Sequence, residues 1–289
     1  MYLLSNNLLS IEIAAKGAEL QSIYHVQNEL EYLWSGDAKY WAKKSPVLFP
    51  IVGGLKNNVY KFQGKSYQLS RHGFARDSMF EVSERTPNSI TFSLQSNEQT
   101  KLVYPFDFWF RVKYSVNNYR LSITFIVENK SKMEMFFSVG AHPAFTIPIE
   151  KSLQYNDYYL RFDVPEHADR WPLTTDGLIE AKPIPFLENE SELPLRKELF
   201  YKDAIVFKQL QSRSISVVSS RSSHGVKVNF DGFPYLGIWA AKEANFICIE
   251  PWYGIADSID STGELADKEG IIHLPIGKTF EATYSIEVF

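Results

Sequence analysis

Three observations predict an all-β chain, a sandwich or a barrel. Apolar residues alternate with period two from near the N-terminus to the C-terminus, turn residues separate these runs, and no stretch of 15 residues repeats apolar positions at three and four. Leu8-Leu9-Ser10-Ile11-Glu12-Ile13 reads as an opening strand, and Ser89-Ile90-Thr91-Phe92-Ser93-Leu94 alternates cleanly. Phe110 to Val116 and Tyr119 to Val127 flank Asn117-Asn118, a pairing that reads as a hairpin. Ser214 to Val218 and Val226 to Phe230 flank Ser222-Ser223-His224-Gly225 as a second hairpin, and Phe280 to Val288 closes the chain as a strand. Ala38 to Lys44 and Glu192 to Leu199 are the two places where one short turn of helix is expected. Residues 165 to 196 carry five prolines, at 165, 172, 183, 185 and 194, and read as a long excursion over one face. No Pro/Ser/Gly-rich linker interrupts the strands, so residues 1–289 are expected to form one domain.

Composition narrows the function classes. Thirty Lys and Arg stand against 34 acidic residues, a net charge of -4, so neither a nucleic-acid nor a membrane-surface partner is favoured. The one cysteine, Cys248, allows no internal disulfide and no multi-cysteine metal site. Cysteine usage, the absence of a basic-then-apolar leader, and the lack of an apolar run of about 18 residues point to a soluble cytoplasmic protein. Apolar residues make up 45% of the chain, which supports a large core. Aromatics make up 15%; most are expected to pack in a β-rich core, and a few to stack on a ligand.

GxGxxG, GxxxxGK[ST], GxSxG and HExxH are all missing, so no dinucleotide, phosphate-loop, serine-nucleophile or metal fingerprint is present. Of six histidines, His72 and His142 sit in unusual surroundings. Ser70-Arg71-His72-Gly73-Phe74-Ala75-Arg76 places an imidazole beside a glycine and between two arginines. Gly140-Ala141-His142-Pro143-Ala144-Phe145 sets small residues before an imidazole and a rigid proline after it. In Phe246-Ile247-Cys248-Ile249-Glu250-Pro251-Trp252, a carboxylate ends an apolar run. Burial there raises its pKa towards that of a general base. His25, His167, His224 and His273 read as structural or surface residues.

The ordered set of Arg71-His72-Gly73-Phe74-Ala75-Arg76, Gly140-Ala141-His142-Pro143-Ala144-Phe145 and Ile249-Glu250-Pro251-Trp252 resembles the galactose mutarotase-like (aldose 1-epimerase) family, and within it the bacterial LacX-type subgroup. Tyr235-Leu236-Gly237-Ile238-Trp239 and Leu199-Phe200-Tyr201-Lys202-Asp203-Ala204 fit the same pattern, so the resemblance covers essentially the whole chain. It implies a large antiparallel β-sandwich with a concave sugar-binding cleft. It also implies interconversion of the α and β anomers of a hexose such as galactose, with no cofactor and no metal. His142 would be the general acid, Glu250 the general base, and His72 would orient the sugar near its ring oxygen. Asp203 matches an aspartate that binds sugar hydroxyls. Arg76 matches an arginine that lines the pocket in the hexose-phosphate branch. Lys56, in Gly53-Gly54-Leu55-Lys56-Asn57, stands where classical members carry an arginine, and His72-Gly73-Phe74 replaces their HGG; both departures bear on which sugar is bound. Trp239 and Phe106 are candidate pocket walls. The implied partner is a small-molecule sugar. Alternatives are a hexose 6-phosphate substrate, or a carbohydrate-binding protein without turnover.

Overall fold

The computed structural model describes all 289 residues. Its largest element is a nine-stranded antiparallel sheet. The strand order is Ile184–Pro194, Tyr158–Arg170, Ser214–Ser219, Val226–Asn229, Thr279–Val288, Arg120–Asn129, Phe108–Asn117, Ser89–Gln95 and Glu81–Thr86. A second sheet runs Ile205–Lys208, Tyr235–Trp239, Phe246–Tyr253, Val139–Ala141 and Val47–Leu48, and Ala144–Thr146 also pairs with Phe246–Tyr253. Four N-terminal strands, between Tyr2 and Glu31, form a smaller sheet. The architecture is the expected all-β antiparallel sandwich.

The alternation read from the sequence produces this packing. Along Phe108–Asn117 every second side chain from Phe108 to Val116 is buried, and Arg120–Asn129 repeats the pattern from Leu121. Successive Cβ atoms on a strand point to opposite faces, so each strand gives one complete face to the core. That core joins 72 buried residues, from Leu4 near the N-terminus to Val288 near the C-terminus. Its aromatic heart is Phe49, whose ring lies 4.5 Å from Phe110, 5.1 Å from Phe108 and 5.8 Å from Phe137.

Four local readings change. The first hairpin turns at Asn118-Tyr119, one residue later than expected. Asn117 pairs with Arg120, and Asn118 takes the left-handed φ of 52° that asparagine tolerates. Residues 38–44 form no helix; the segment makes only a turn, with the Tyr40 and Trp41 N–H groups donating to Asp37 O. Glu192 to Pro194 belong to a strand, and the helical turn there is the 3-10 segment Lys197–Phe200. Most of residues 165–196 is a long, bulged hairpin of Tyr158–Arg170 with Ile184–Pro194, not a loop. Pro185 and Pro194 sit on its edge strand, where a missing N–H costs no ladder bond, and Pro165 falls in the bulge between Arg161 and Glu166. The one α-helix, Glu98–Val103, is too short to show periodicity; Asn97 and Thr100 cap it reciprocally. No helix is long and apolar enough to cross a membrane.

Candidate active site

The second sheet holds the site. On Phe246–Tyr253, Ile247 and Ile249 join the main core, while Glu250 and Trp252 line a cleft of about 460 Å³. His142 follows Val139–Ala141, which pairs with the same strand. Its Nε2 therefore comes within 3.2 Å of Glu250 Oε2. Trp41 stacks on the His142 ring at 4.8 Å, and Trp239 meets it edge-on at 5.7 Å.

His72 arrives on an irregular loop, at a left-handed φ of 69°. Its N–H donates to Gly53 O at 2.9 Å, and Gly53 N–H donates back to His72 Nδ1 at 3.1 Å. That second bond decides the tautomer. Nδ1 is an acceptor, so the proton of the neutral ring lies on Nε2, the nitrogen left for a ligand. Burial, then the neighbouring His142, Arg76 and Arg71, keep His72 neutral by holding its pKa well below the usual histidine value.

Gly73 makes this loop possible. Its φ is 69°, and a Cβ there would lie 2.4 Å from Phe49 O and 2.7 Å from Pro50 Cδ. Phe49 O also accepts the N–H groups of Phe74 and Ala75, so it cannot yield without breaking both bonds. Gly73→Ala is expected to cost at least about 1–3 kcal/mol of stability from backbone strain alone. Thermal unfolding checks this; an unchanged Tm would contradict it.

The electrostatics of the pair follow from burial. Glu250 is 1% exposed, and its pKa is pushed well above the usual carboxylate value by desolvation and then by Asp203; Arg71 and Trp252 oppose the shift. His142 is pushed down to about 3, first by desolvation and also by Arg76 and Arg71. Burial therefore favours a neutral pair at neutral pH, a protonated carboxyl 3.2 Å from a neutral imidazole, so that the pair holds one proton. Trp252 Nε1 and His142 Nδ1 are buried without hydrogen-bond partners. The indole lies close enough to stabilise an ionised Glu250, without bonding geometry in this state.

The Glu250 carboxyl, the His142 imidazole and the cations Arg71, Arg76 and Lys202 all line the cleft: such a site can take a proton from one hydroxyl and return one to a neighbouring oxygen. The chain matches the aldose 1-epimerase family model over residues 1–272. It belongs to the aldose 1-epimerase family. It is 35% identical to the chromosomal protein LacX of Lactococcus lactis subsp. lactis, over 99% of this chain and 98% of that protein. It superposes on a galactose mutarotase related enzyme from Lactobacillus acidophilus with a TM-score of 0.94 and 37% identity, covering 100% of this chain and 97% of that one. A galactose mutarotase-like protein from Lactobacillus casei gives a TM-score of 0.94 at 28% identity, with 100% of both chains covered.

Within this epimerase fold, His72, His142, Glu250, Asp203 and Arg76 all line one cleft. Trp239 lines it too, whereas Phe106 is wholly buried in the core. Lys56 is not brought to the cleft. Its ammonium donates to Ile259 O at 2.7 Å, because the Gly53-Gly54 turn carries the chain away before residue 56. None of His25, His167, His224 and His273 lines the cleft. The sequence reading missed Trp41, which lay in a segment read as helix, and gave Arg71 no specific role. A Cβ at Gly177 would fall 1.4 Å from Arg71 Nη2, so the guanidinium lies where a side chain at 177 would stand. Only glycine at 177 leaves that room. Gly177 belongs to the turn joining the long hairpin, and no local signal links it to residue 71.

Proposed function

We propose that this protein is a mutarotase that interconverts the α and β anomers of an aldohexose by acid–base ring opening. The observation that supports it is the 3.2 Å contact between His142 Nε2 and Glu250 Oε2 at the wall of the cleft. The anomeric hydroxyl and the ring oxygen of a pyranose are bonded to the same carbon. Two exchangeable groups in contact can therefore serve both oxygens at once.

On this reading Glu250 removes the proton of the anomeric hydroxyl and His142 protonates the ring oxygen. The C1–O5 bond breaks as the C1=O1 bond forms, the aldehyde turns about C1–C2, and O5 re-adds to its other face with the protons returned. The proton His142 delivers is the one the pair already holds. It moves to Nε2 when sugar hydroxyls and Arg71 favour the Glu250 carboxylate. His72, with its proton on Nε2, donates to the sugar and orients it. Asp203, whose Oδ1 accepts Ala204 N–H at 2.7 Å, offers its other oxygen to hydroxyls. General acid and base each contribute about 10²–10⁴-fold, enough for a reaction that water already carries slowly.

A second reading, a 6-phosphorylated hexose, is favoured by Arg71, Arg76 and Lys202 on the cleft wall and by Arg76 Nε, which is buried without a hydrogen-bond partner. One experiment separates the two. Freshly dissolved α-D-glucose, α-D-galactose and their 6-phosphates are followed by optical rotation with and without the protein. Acceleration of a free hexose supports the first reading, and preference for the 6-phosphates supports the second. No acceleration with any of them overturns both and leaves the non-catalytic binding alternative.

A further inference from the structure

We propose that His142, Cys248 and Glu250 bind one soft divalent cation, with Zn²⁺ as the type, and that its binding shuts off turnover. The inhibition rests on the function proposed above; the binding does not.

The acid–base chemistry leaves Cys248 unused. It is the chain's only cysteine and is wholly buried. It lies two residues before Glu250 on the same strand, so both side chains leave the same face. Ala144, two residues after His142, is its cross-strand partner. One ligand atom each from His142, Cys248 and Glu250 thus lies within 4.8 Å of the others. Zinc bonds of about 2.0–2.3 Å set tetrahedral ligand atoms about 3.3–3.8 Å apart, so small side-chain shifts close the set. Nε2 and Oε2 already stand 3.2 Å apart.

The donor set is selective. Thiolate with imidazole suits zinc and its soft neighbours, and does not suit Mg²⁺ or Ca²⁺. Three protein ligands leave a fourth position for a water or a sugar hydroxyl, and two of the three, His142 and Glu250, line the cleft. The cation displaces the thiol proton and the proton shared by His142 and Glu250, so its affinity rises with pH. It also occupies the two lone pairs that proton transfer needs. His142 Nδ1 has no partner to steady it as a ligand, which makes this a reversible site and not a structural one.

Untagged protein titrated with Co²⁺ is expected to show a thiolate-to-cobalt charge-transfer band for one bound ion, abolished by stoichiometric Zn²⁺. Zn²⁺, but not Mg²⁺, is expected to stop turnover reversibly. Cys248→Ala is expected to keep its basal rate, to lose the band, and to require about tenfold or more Zn²⁺ for the same inhibition. A wild-type protein without the band overturns the proposal, whether or not any sugar is turned over. Equal Zn²⁺ sensitivity in Cys248→Ala, or equal inhibition by Mg²⁺, also overturns it.

Discussion

Glu250→Gln is expected to lower the rate of anomer exchange by about 10²–10⁴-fold and, at neutral pH, to raise the melting temperature. The activity loss follows from removing the only carboxylate in contact with His142. The stability gain follows from the sign of the Glu250 shift. In the unfolded chain the carboxyl ionises near its ordinary 4.5; in the folded chain burial holds the proton to a well higher pH. Below pH 4.5 both states are protonated and the site costs nothing. As pH rises above that value the unfolded state alone gains by ionising, and folding stability falls until the folded carboxyl also ionises. A neutral glutamine of the same shape removes that loss, at about 2–4 °C in Tm per kcal/mol relieved. Optical rotation and a thermal melt at pH 5 and pH 8 check both halves. A variant with near-wild-type rate contradicts the role of Glu250, and a lower Tm at pH 8 than wild type contradicts the desolvation account.

Lys268→Met is expected to destabilise the fold by about 3–5 kcal/mol, the cost of leaving one partner of a buried ion pair alone. The side chains of Lys268 and Asp257 are 2% and 3% exposed, and Nζ donates to Asp257 Oδ1 at 2.9 Å and to Ile255 O at 2.6 Å. Asp257 Oδ2 accepts Lys56 N–H at 2.9 Å, while Asp257 N–H donates to Gly54 O and Asp257 O accepts from Ile179 N–H. One pair therefore ties together three loops, those carrying Gly53, Ala256 and Ile179, and all three residues line the cleft. Gly53 in turn holds His72. Adding Asp257→Asn to Lys268→Met removes the stranded charge and is expected to recover most of the lost stability. Denaturant unfolding of the wild type and the two variants checks this. A single-variant cost below about 1 kcal/mol would place the pair in the range of exposed salt bridges and contradict the account.

Much of the molecule was legible from period-two alternation, because each antiparallel strand buries one complete face. Leu121 to Val127 is the clearest case: its buried side chains can be counted off the sequence. The long hairpin at 158–194 was not legible, since its bulges and prolines erase the alternation on which the reading depends. In the site, His72, His142 and Glu250 stood out because small or rigid residues surround them in the chain. Lys56 misled because standing where relatives carry an arginine does not fix which way its side chain leaves the loop; its ammonium turns to Ile259 O. The contacts of Trp41 with His142, of Arg71 with Gly177 and of Lys268 with Asp257 join segments with no shared local pattern, so only the folded chain reveals them.

The central claim is that His142 and Glu250 act as one unit holding a single proton. The pH dependence of kcat/KM for anomer exchange tests it most directly. A pair sharing one proton loses activity in acid only when His142 takes a second proton, at about 3, and in base only above the raised Glu250 value. The expected profile is therefore broad, with its acid limb near 3. A narrow bell with limbs near 4.5 and 6.5, the ordinary values of an independent carboxylate and imidazole, would contradict it.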